Sequence, residues 1–354
     1  MKFNYLFLIA AVVLISAVFH GLGLFNVLPP QFVYSDLLGF FENAAAPGFP
    51  YLQKPVEYPV LIGLFMQAMA VIGKTEAGYY IASAIFLLLA AIIATYFLNR
   101  LTPEKYKTGL LKYWIFAPSM LAFSVYNWDI LVIFLVILAF YFISKQKDNL
   151  AAIFLALGFS TKLYPVLYLP TLILKQKNVL ERLKIFLVFI LTAGAINLPF
   201  MFLNYGGWSY FLTLNAERNS SFDSIWTVGR YLFPALSVSQ INILSLLLFA
   251  VLYFYIIFKR QDDGIIKTYF LITLAFLITN KVFSPQYLLW LLPFFALIPN
   301  ISSRWFYALE FSNLILLFLA LSWFFLGRDL TYFYWAIPFI LLRYSSLSYF
   351  LIKA

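Results

Sequence analysis

Residues 145–177 read KQKDNLAAIFLALGFSTKLYPVLYLPTLILKQK, an apolar run that begins and ends on the same basic triplet. Basic residues mark the cytoplasmic ends of membrane segments, so a single crossing here would leave one triplet on the wrong side. The run therefore predicts two short arms meeting near Gly158-Phe159-Ser160-Thr161-Lys162. A lysine facing lipid costs roughly 2.5–3.5 kcal/mol on insertion scales, so Lys162 at the tip is expected to face a polar cavity. Leu163-Tyr164-Pro165 opens the return arm, because proline at the start of a helix gives up only an N–H that lacks a partner there.

The rest of the chain agrees with a membrane setting. Of its 354 residues 64% are hydrophobic and 11% charged, against about 25% charged in ordinary soluble domains. The net charge of +10 would suit nucleic acid in a soluble protein, but the basic residues fall in short runs between apolar segments, so no nucleic-acid partner is expected. The chain has no cysteine, which excludes disulfides, iron–sulfur clusters and thiolate zinc sites. Its one histidine, His20, lies within the first apolar segment, so neither a histidine metal site nor a catalytic triad is expected.

Outward from the hairpin, the same rule orders the remaining segments. Tyr5 to Phe25 follows Lys2 and reads as an uncleaved signal-anchor running outward. A first outer loop, about residues 26–77, contains VYSDLLGFFENAAAPGFPYLQKPVEYP from Val33 to Pro59, with juxtamembrane helices. Pro59 to Gly73 is too short for an ordinary span and reads as an interfacial or re-entrant helix on the outer side. Gly78 to Leu98 runs inward to Arg100, Lys105 and Lys107. Thr108 to Tyr126 then runs outward and Ile130 to Ser144 inward.

After the hairpin, the chain crosses outward to Leu203 and enters a second outer loop, about residues 204–235. Leu236 to Phe258 returns to Lys259, Arg260, Asp262 and Asp263. Ile265 to Thr279, Tyr287 to Pro299, Arg304 to Leu326 and Tyr332 to Phe350 complete an all-α polytopic protein of about 12 membrane segments, both termini cytoplasmic. Asp36, Glu42, Glu57, Glu76, Asp129, Glu217, Asp223 and Asp329 fall outside, while Glu310 is left within a span. No repeat or linker divides the chain, so 1–354 is one integral membrane domain.

The outer rim thus gathers Asp36, Glu57, Asp129, Lys162, Arg230 and Lys281. Carboxylates beside cations suit a reaction in which a hydroxyl loses its proton while a phosphate departs. Each group also has a plain structural reading. Asp36 would cap a helix over Leu37 to Ala46, Glu57 would cap the short helix after Pro59, and Asp129 would cap or anchor the segment it starts. Arg230 would pair with Asp223. Lys162 and Lys281 sit inside apolar runs and are harder to explain as solvated charges.

Tyr34-Ser35-Asp36, Pro50-Tyr51 through Glu57-Tyr58-Pro59, Asn127-Trp128-Asp129, Thr161-Lys162-Leu163-Tyr164-Pro165 and Asn280-Lys281-Val282-Phe283-Ser284-Pro285-Gln286-Tyr287-Leu288-Leu289-Trp290 occur in this order. As a set they resemble the GT-C superfamily of polyprenyl-phosphate-sugar glycosyltransferases. Within it, the likeness is to the enzymes that add the first mannose to GPI precursors and to prokaryotic lipid-linked mannosyltransferases. The resemblance implies a GT-C-like fold with an active site on the outer face, a polyprenyl-phosphate sugar donor and a lipid or glycolipid acceptor. It implies Asp36 as the catalytic base, with Lys162, Lys281 and Arg230 at the donor phosphate. Glu57, Tyr58, Asn127, Asp129 and Gln286 would then position substrate, and an accessory subunit is compatible with it.

The likeness departs in the first loop, where the eukaryotic relatives carry Asp-x-Asp and this chain follows Asp36 with Leu37 and Leu38. A divalent ion prefers several oxygen ligands, so no metal cofactor is expected. Two other functions fit a polytopic chain. A transporter or flippase of lipid-linked saccharides would carry charges near the bilayer midplane and open to both faces, whereas these groups gather at one rim. A non-catalytic subunit would not require the set of carboxylates and cations.

Overall fold

The computed structural model describes residues 4–260 and 263–353. Lys2 and Asp262, both assigned by sequence to the cytoplasmic side, lie outside the described residues.

The described chain is helical throughout. It opens with α1 (Tyr5–Gly21), the short helices α2 (Pro30–Val33), α3 (Asp36–Gly39) and α4 (Phe41–Ala45), then α5 (Val60–Gly73) and α6 (Glu76–Leu101). Next come α7 (Lys107–Leu110), α8 (Pro118–Phe123), α9 (Asp129–Ser144), α10 (Asp148–Thr161) and α11 (Leu169–Leu174). The second half holds α12 (Val179–Leu203), α13 (Tyr205–Glu217), α14 (Ile225–Leu232) and α15 (Val238–Lys259). It ends with α16 (Ile265–Thr279), α17 (Leu292–Leu297), α18 (Ser303–Phe325) and α19 (Leu330–Lys353).

Among the described residues, six helices are long and apolar enough to cross a bilayer: α1 with the turn that extends it to Phe25, α6, α12, α15, α18 and α19. Six further apolar helices are shorter. At 1.5 Å per residue, the 14 residues of α10 rise about 21 Å, less than the roughly 30 Å of hydrocarbon. Helix length does not confirm the expected count of about 12 membrane segments, hairpin arms included: six of the apolar helices are long enough to cross alone and six are not.

Burial differs between α9 and α16 on one side and α15 on the other. α9 buries ten of its 16 residues and α16 ten of its 15, whereas α15 buries three of 22. A helix apolar all round belongs in a protein interior or in lipid. α9 and α16 are interior, whereas α15 turns Leu246, Leu247, Val251 and Phe258 outward, as a lipid-facing surface requires.

The expected hairpin is present. α10 ends at Thr161, Lys162 is extended, and the return begins as a 3-10 turn over Tyr164–Tyr168 before α11. Its two bases meet where Lys175 Nζ lies 2.8 Å from Asp148 Oδ1, so both basic triplets sit at the same end. A second hairpin of the same build was read from sequence as two ordinary crossings. α16 stops at Thr279, and the chain returns through a 3-10 turn over Pro285–Leu291 into α17. The hairpins interlock through stacked Tyr168 and Tyr269 rings, 4.4 Å between centroids, and through Tyr164 and Trp290, 4.1 Å apart.

Two further segments differ from expectation. Thr108 to Tyr126 is not one helix: a π-turn over Leu111–Ile115 follows α7, and Ala117 is extended before Pro118 restarts the chain as α8. The clash of a proline ring with the preceding residue accounts for that break. The freed N–H of Ser119 donates to Glu310 Oε2 at 2.7 Å, which explains a carboxylate buried in α18. The second outer loop is largely helical, as α13 and α14.

α5 runs back along α6: Phe65 meets Phe86, and the Gly73 and Gly78 backbones touch at the turn, where a Cβ on Gly73 would lie 2.1 Å from Tyr79 N. It forms one arm of a helical hairpin with α6.

Candidate active site

The first wall of the site is built by Ser35. Its Oγ caps α3 by accepting the Leu37 N–H at 3.2 Å and donates to the carbonyls of Val125 and Tyr126. The Asp36 N–H donates to the same Tyr126 carbonyl at 2.8 Å. The helix cap is therefore Ser35, and the Asp36 side chain is left free for the cavity. Asn127 Nδ2 donates to Asp36 Oδ2 at 3.1 Å, while Asn127 Oδ1 accepts the Asp129 N–H at 2.9 Å.

Asp129 lies behind this wall. It is 0% exposed, and its Oδ1 accepts from Trp290 Nε1 at 2.9 Å and faces Lys162 Nζ at 3.4 Å. It is thus neither a simple cap nor a surface anchor. Lys162 Nζ also lies over the rings of Tyr58, 4.9 Å from the centroid, and Tyr287, 5.8 Å. Trp290 is stacked between Tyr287 and Tyr164. Carboxylate and aromatic faces together stabilise the ammonium at the hairpin tip.

These groups border a cavity of ≈ 580 Å³. Asp36, Glu57, Tyr58, Asn127, Lys162, Gln286, Lys281 and Arg218 are among its polar lining. Apolar side chains, Phe211, Phe276, Leu317 and Phe324 among them, complete the lining. Glu57 is exposed and caps nothing, since α5 begins after Pro59 with no side-chain cap. Asp36 is half-buried, and loss of hydration pushes its carboxyl up to about 6; Asn127, Tyr34 and the Lys162 charge act in the opposite direction.

Lys281 lines the cavity but is already engaged, donating to the Ala216 and Arg218 carbonyls at 2.9 and 2.8 Å. Burial, and next the Arg218 charge, hold its ammonium below the usual lysine value. Arg230 does not line the cavity; its Nη1 donates to Asn219 Oδ1 at 2.7 Å. Nor does it pair with Asp223, whose Oδ2 accepts from Arg343 Nη1 at 2.8 Å. Sequence reading missed Arg218 and Arg343. A cation inside the apolar run of α19 was the available signal for Arg343, whereas Arg218 had none that set it apart from Arg230.

Among the described residues, no three carboxylates or histidines are grouped to hold a metal ion. Asp36 with Asn127 and Lys162 can instead accept a proton from a hydroxyl beside a cation that attracts an anionic leaving group.

Glycosyltransferase family 87 matches residues 57–280. That match includes Glu57, Asn127, Asp129 and Lys162 and leaves Asp36, Lys281 and Gln286 outside it. The chain is similar to GPI mannosyltransferase 1 of Kluyveromyces lactis, 25% identical over 282 residues that cover 74% of this chain and 69% of the relative. It is 24% identical to GPI mannosyltransferase 1 of Candida albicans over 297 residues, 74% of this chain and 72% of that one. The protein of the same name from Debaryomyces hansenii is 23% identical over 303 residues.

Proposed function

The chain belongs to glycosyltransferase family 87, and from that premise we propose that it moves mannose from a polyprenyl-phosphate donor to a hydroxyl of a lipid or glycolipid acceptor. Mannose is suggested by relatives named GPI mannosyltransferase 1. The acceptor oxygen attacks the anomeric carbon, the bond from that carbon to the phosphate oxygen breaks, and the sugar inverts. Asp36 takes the acceptor proton, and the polyprenyl phosphate leaves with the bonding electrons beside the lining cations. Glu57, Tyr58 and Gln286 border the acceptor and sugar, while Asn127 and Asp129 hold Asp36 and Lys162 in place.

The observation that carries this reading is the Asp36 carboxylate, held by Asn127 at 3.1 Å in the same cavity as Lys162. The basic flanks support an extracytoplasmic site with both termini cytoplasmic. No metal ion is assigned a role, because Leu37 and Leu38 follow Asp36 where a second carboxylate would be needed.

The test is incubation of purified protein with radiolabelled polyprenyl-phosphate mannose and a native lipid extract. A labelled lipid is the expected product, and Asp36→Asn should abolish it while leaving the fold intact. Near-normal turnover in that variant would remove Asp36 as base, and transport of the donor without transfer would favour a flippase.

A further inference from the structure

Residues 216–226 are laced onto residues 279–283 by five hydrogen bonds besides those within helices. Lys281 Nζ donates to the carbonyls of Ala216 and Arg218. The Ser221 N–H donates to the Lys281 carbonyl at 3.1 Å, the Phe283 N–H to Ser221 Oγ at 3.0 Å, and Trp226 Nε1 to the Thr279 carbonyl at 2.8 Å. Lys281 thereby satisfies carbonyls at the end of α13, where the helix dipole favours a cation.

This arrangement uses Lys281 and leaves Arg218 free. The Lys281 side chain is only 6% exposed, whereas Arg218 is exposed and lines the cavity. Among the described residues Arg218 joins no ion pair. The lining carboxylate closest to it in the chain, Asp223, is committed to Arg343. An exposed guanidinium without a carboxylate partner, beside an ammonium already engaged by carbonyls, makes an anion site, and its fork suits two phosphate oxygens better than an ammonium does.

We propose that Arg218 is the cation on this wall that binds the donor's phosphate, and that Lys281 is a positioning residue that holds the Arg218 backbone at the cavity. The assignment rests on the polyprenyl-phosphate reading above and names the residue that this reading requires. The ligand chemistry is a phosphate group, supplied either as the ester of a lipid headgroup or as free phosphate.

The test measures binding of farnesyl phosphate, farnesol and inorganic phosphate to the full chain in nanodiscs, for wild type, Arg218→Ala, Arg218→Lys, Lys281→Met and Arg218→Ala with Lys281→Met. Arg218→Ala should weaken farnesyl phosphate by about tenfold or more, the scale of a charged hydrogen bond. Farnesol binding should stay the same, and Arg218→Lys should recover part of the loss. The double variant should bind like Arg218→Ala, since Lys281 acts through Arg218. Inorganic phosphate competing as well as farnesyl phosphate would give the site to free phosphate and overturn its donor role. Wild-type-like binding by Arg218→Ala, or additive losses in the double variant, would overturn the inference with the donor reading intact. Failure of the wild type to bind farnesyl phosphate would overturn the donor reading itself.

Discussion

Lys162 Nζ sits 3.4 Å from Asp129 Oδ1, and the two residues come from the tip of the first hairpin and the first turn of α9. Asp129 is wholly buried and Lys162 is 8% exposed, so each is the other's main compensation for lost water. Removing one member of a buried pair typically costs about 3–5 kcal/mol, because the remaining charge stays buried alone. Asp129→Asn is therefore expected to lower the unfolding temperature and sugar transfer together. Asp129→Glu, which keeps the charge, should recover more of the transfer than Asp129→Asn. Thermal unfolding in detergent and transfer assays on the same preparations check both; equal activity of Asp129→Asn and wild type would show that Lys162 needs no counter-charge.

Asp36 titrates at about 6 because its carboxyl has lost hydration. Only the ionised form accepts a proton, so kcat/KM should be level above that value and fall tenfold per pH unit below it. The Asn127 hydrogen bond favours the ionised form. Asn127→Ala should therefore raise the carboxyl further and move the acid limb to higher pH. A pH–rate profile of the two proteins reads the shift directly, and a limb that moves down or stays fixed would separate the profile from Asp36.

Transfer should survive exhaustive EDTA treatment. Asp36 has no carboxylate neighbour at 37 or 38, and a divalent ion needs several oxygen ligands. Activity lost to EDTA and restored by Mn²⁺ or Mg²⁺ would refute this expectation.

The first hairpin was legible because a lysine within an apolar run, flanked by matching basic triplets, leaves few topologies open. Asp36, Glu57, Lys162 and Lys281 were legible for a related reason: charges are scarce in this chain, and those near one rim stand out. The second hairpin was missed although Ile265 to Thr279 is as short as the run from Pro59 to Gly73, because the interval from Asn280 to Gln286 reads as an ordinary loop between two spans; the burial of α16 on all sides shows otherwise. The difference between Arg218 and Arg230 was not legible either. Both are arginines of the segment between α12 and α15, and which faces the cavity depends on the hold of Lys281 on two carbonyls, a contact made across more than sixty residues.

Arg343 joins the cavity wall to the bundle. It is 0% exposed; its Nη1 donates to Asp223 Oδ2 at 2.8 Å and to Asn313 Oδ1 at 3.0 Å, and Nη2 reaches the Asp223 carbonyl. Asn313 in turn donates to the Pro285 carbonyl at 2.9 Å, and the guanidinium lies 4.0 Å from the Phe283 ring centroid. One planar group thus ties the segment carrying Arg218 to the turn carrying Gln286. A lysine has neither the fork nor the stacking plane, so Arg343→Lys is not conservative here. It should lower stability by about 2–4 kcal/mol, on the scale for disturbing a buried charged network. Asp223→Asn should cost less than Arg343→Met, since it removes one charge and leaves the backbone carbonyl to accept. Unfolding midpoints of the three variants in one detergent test that order, and an unchanged midpoint for Arg343→Met would show that the wall holds without this arginine.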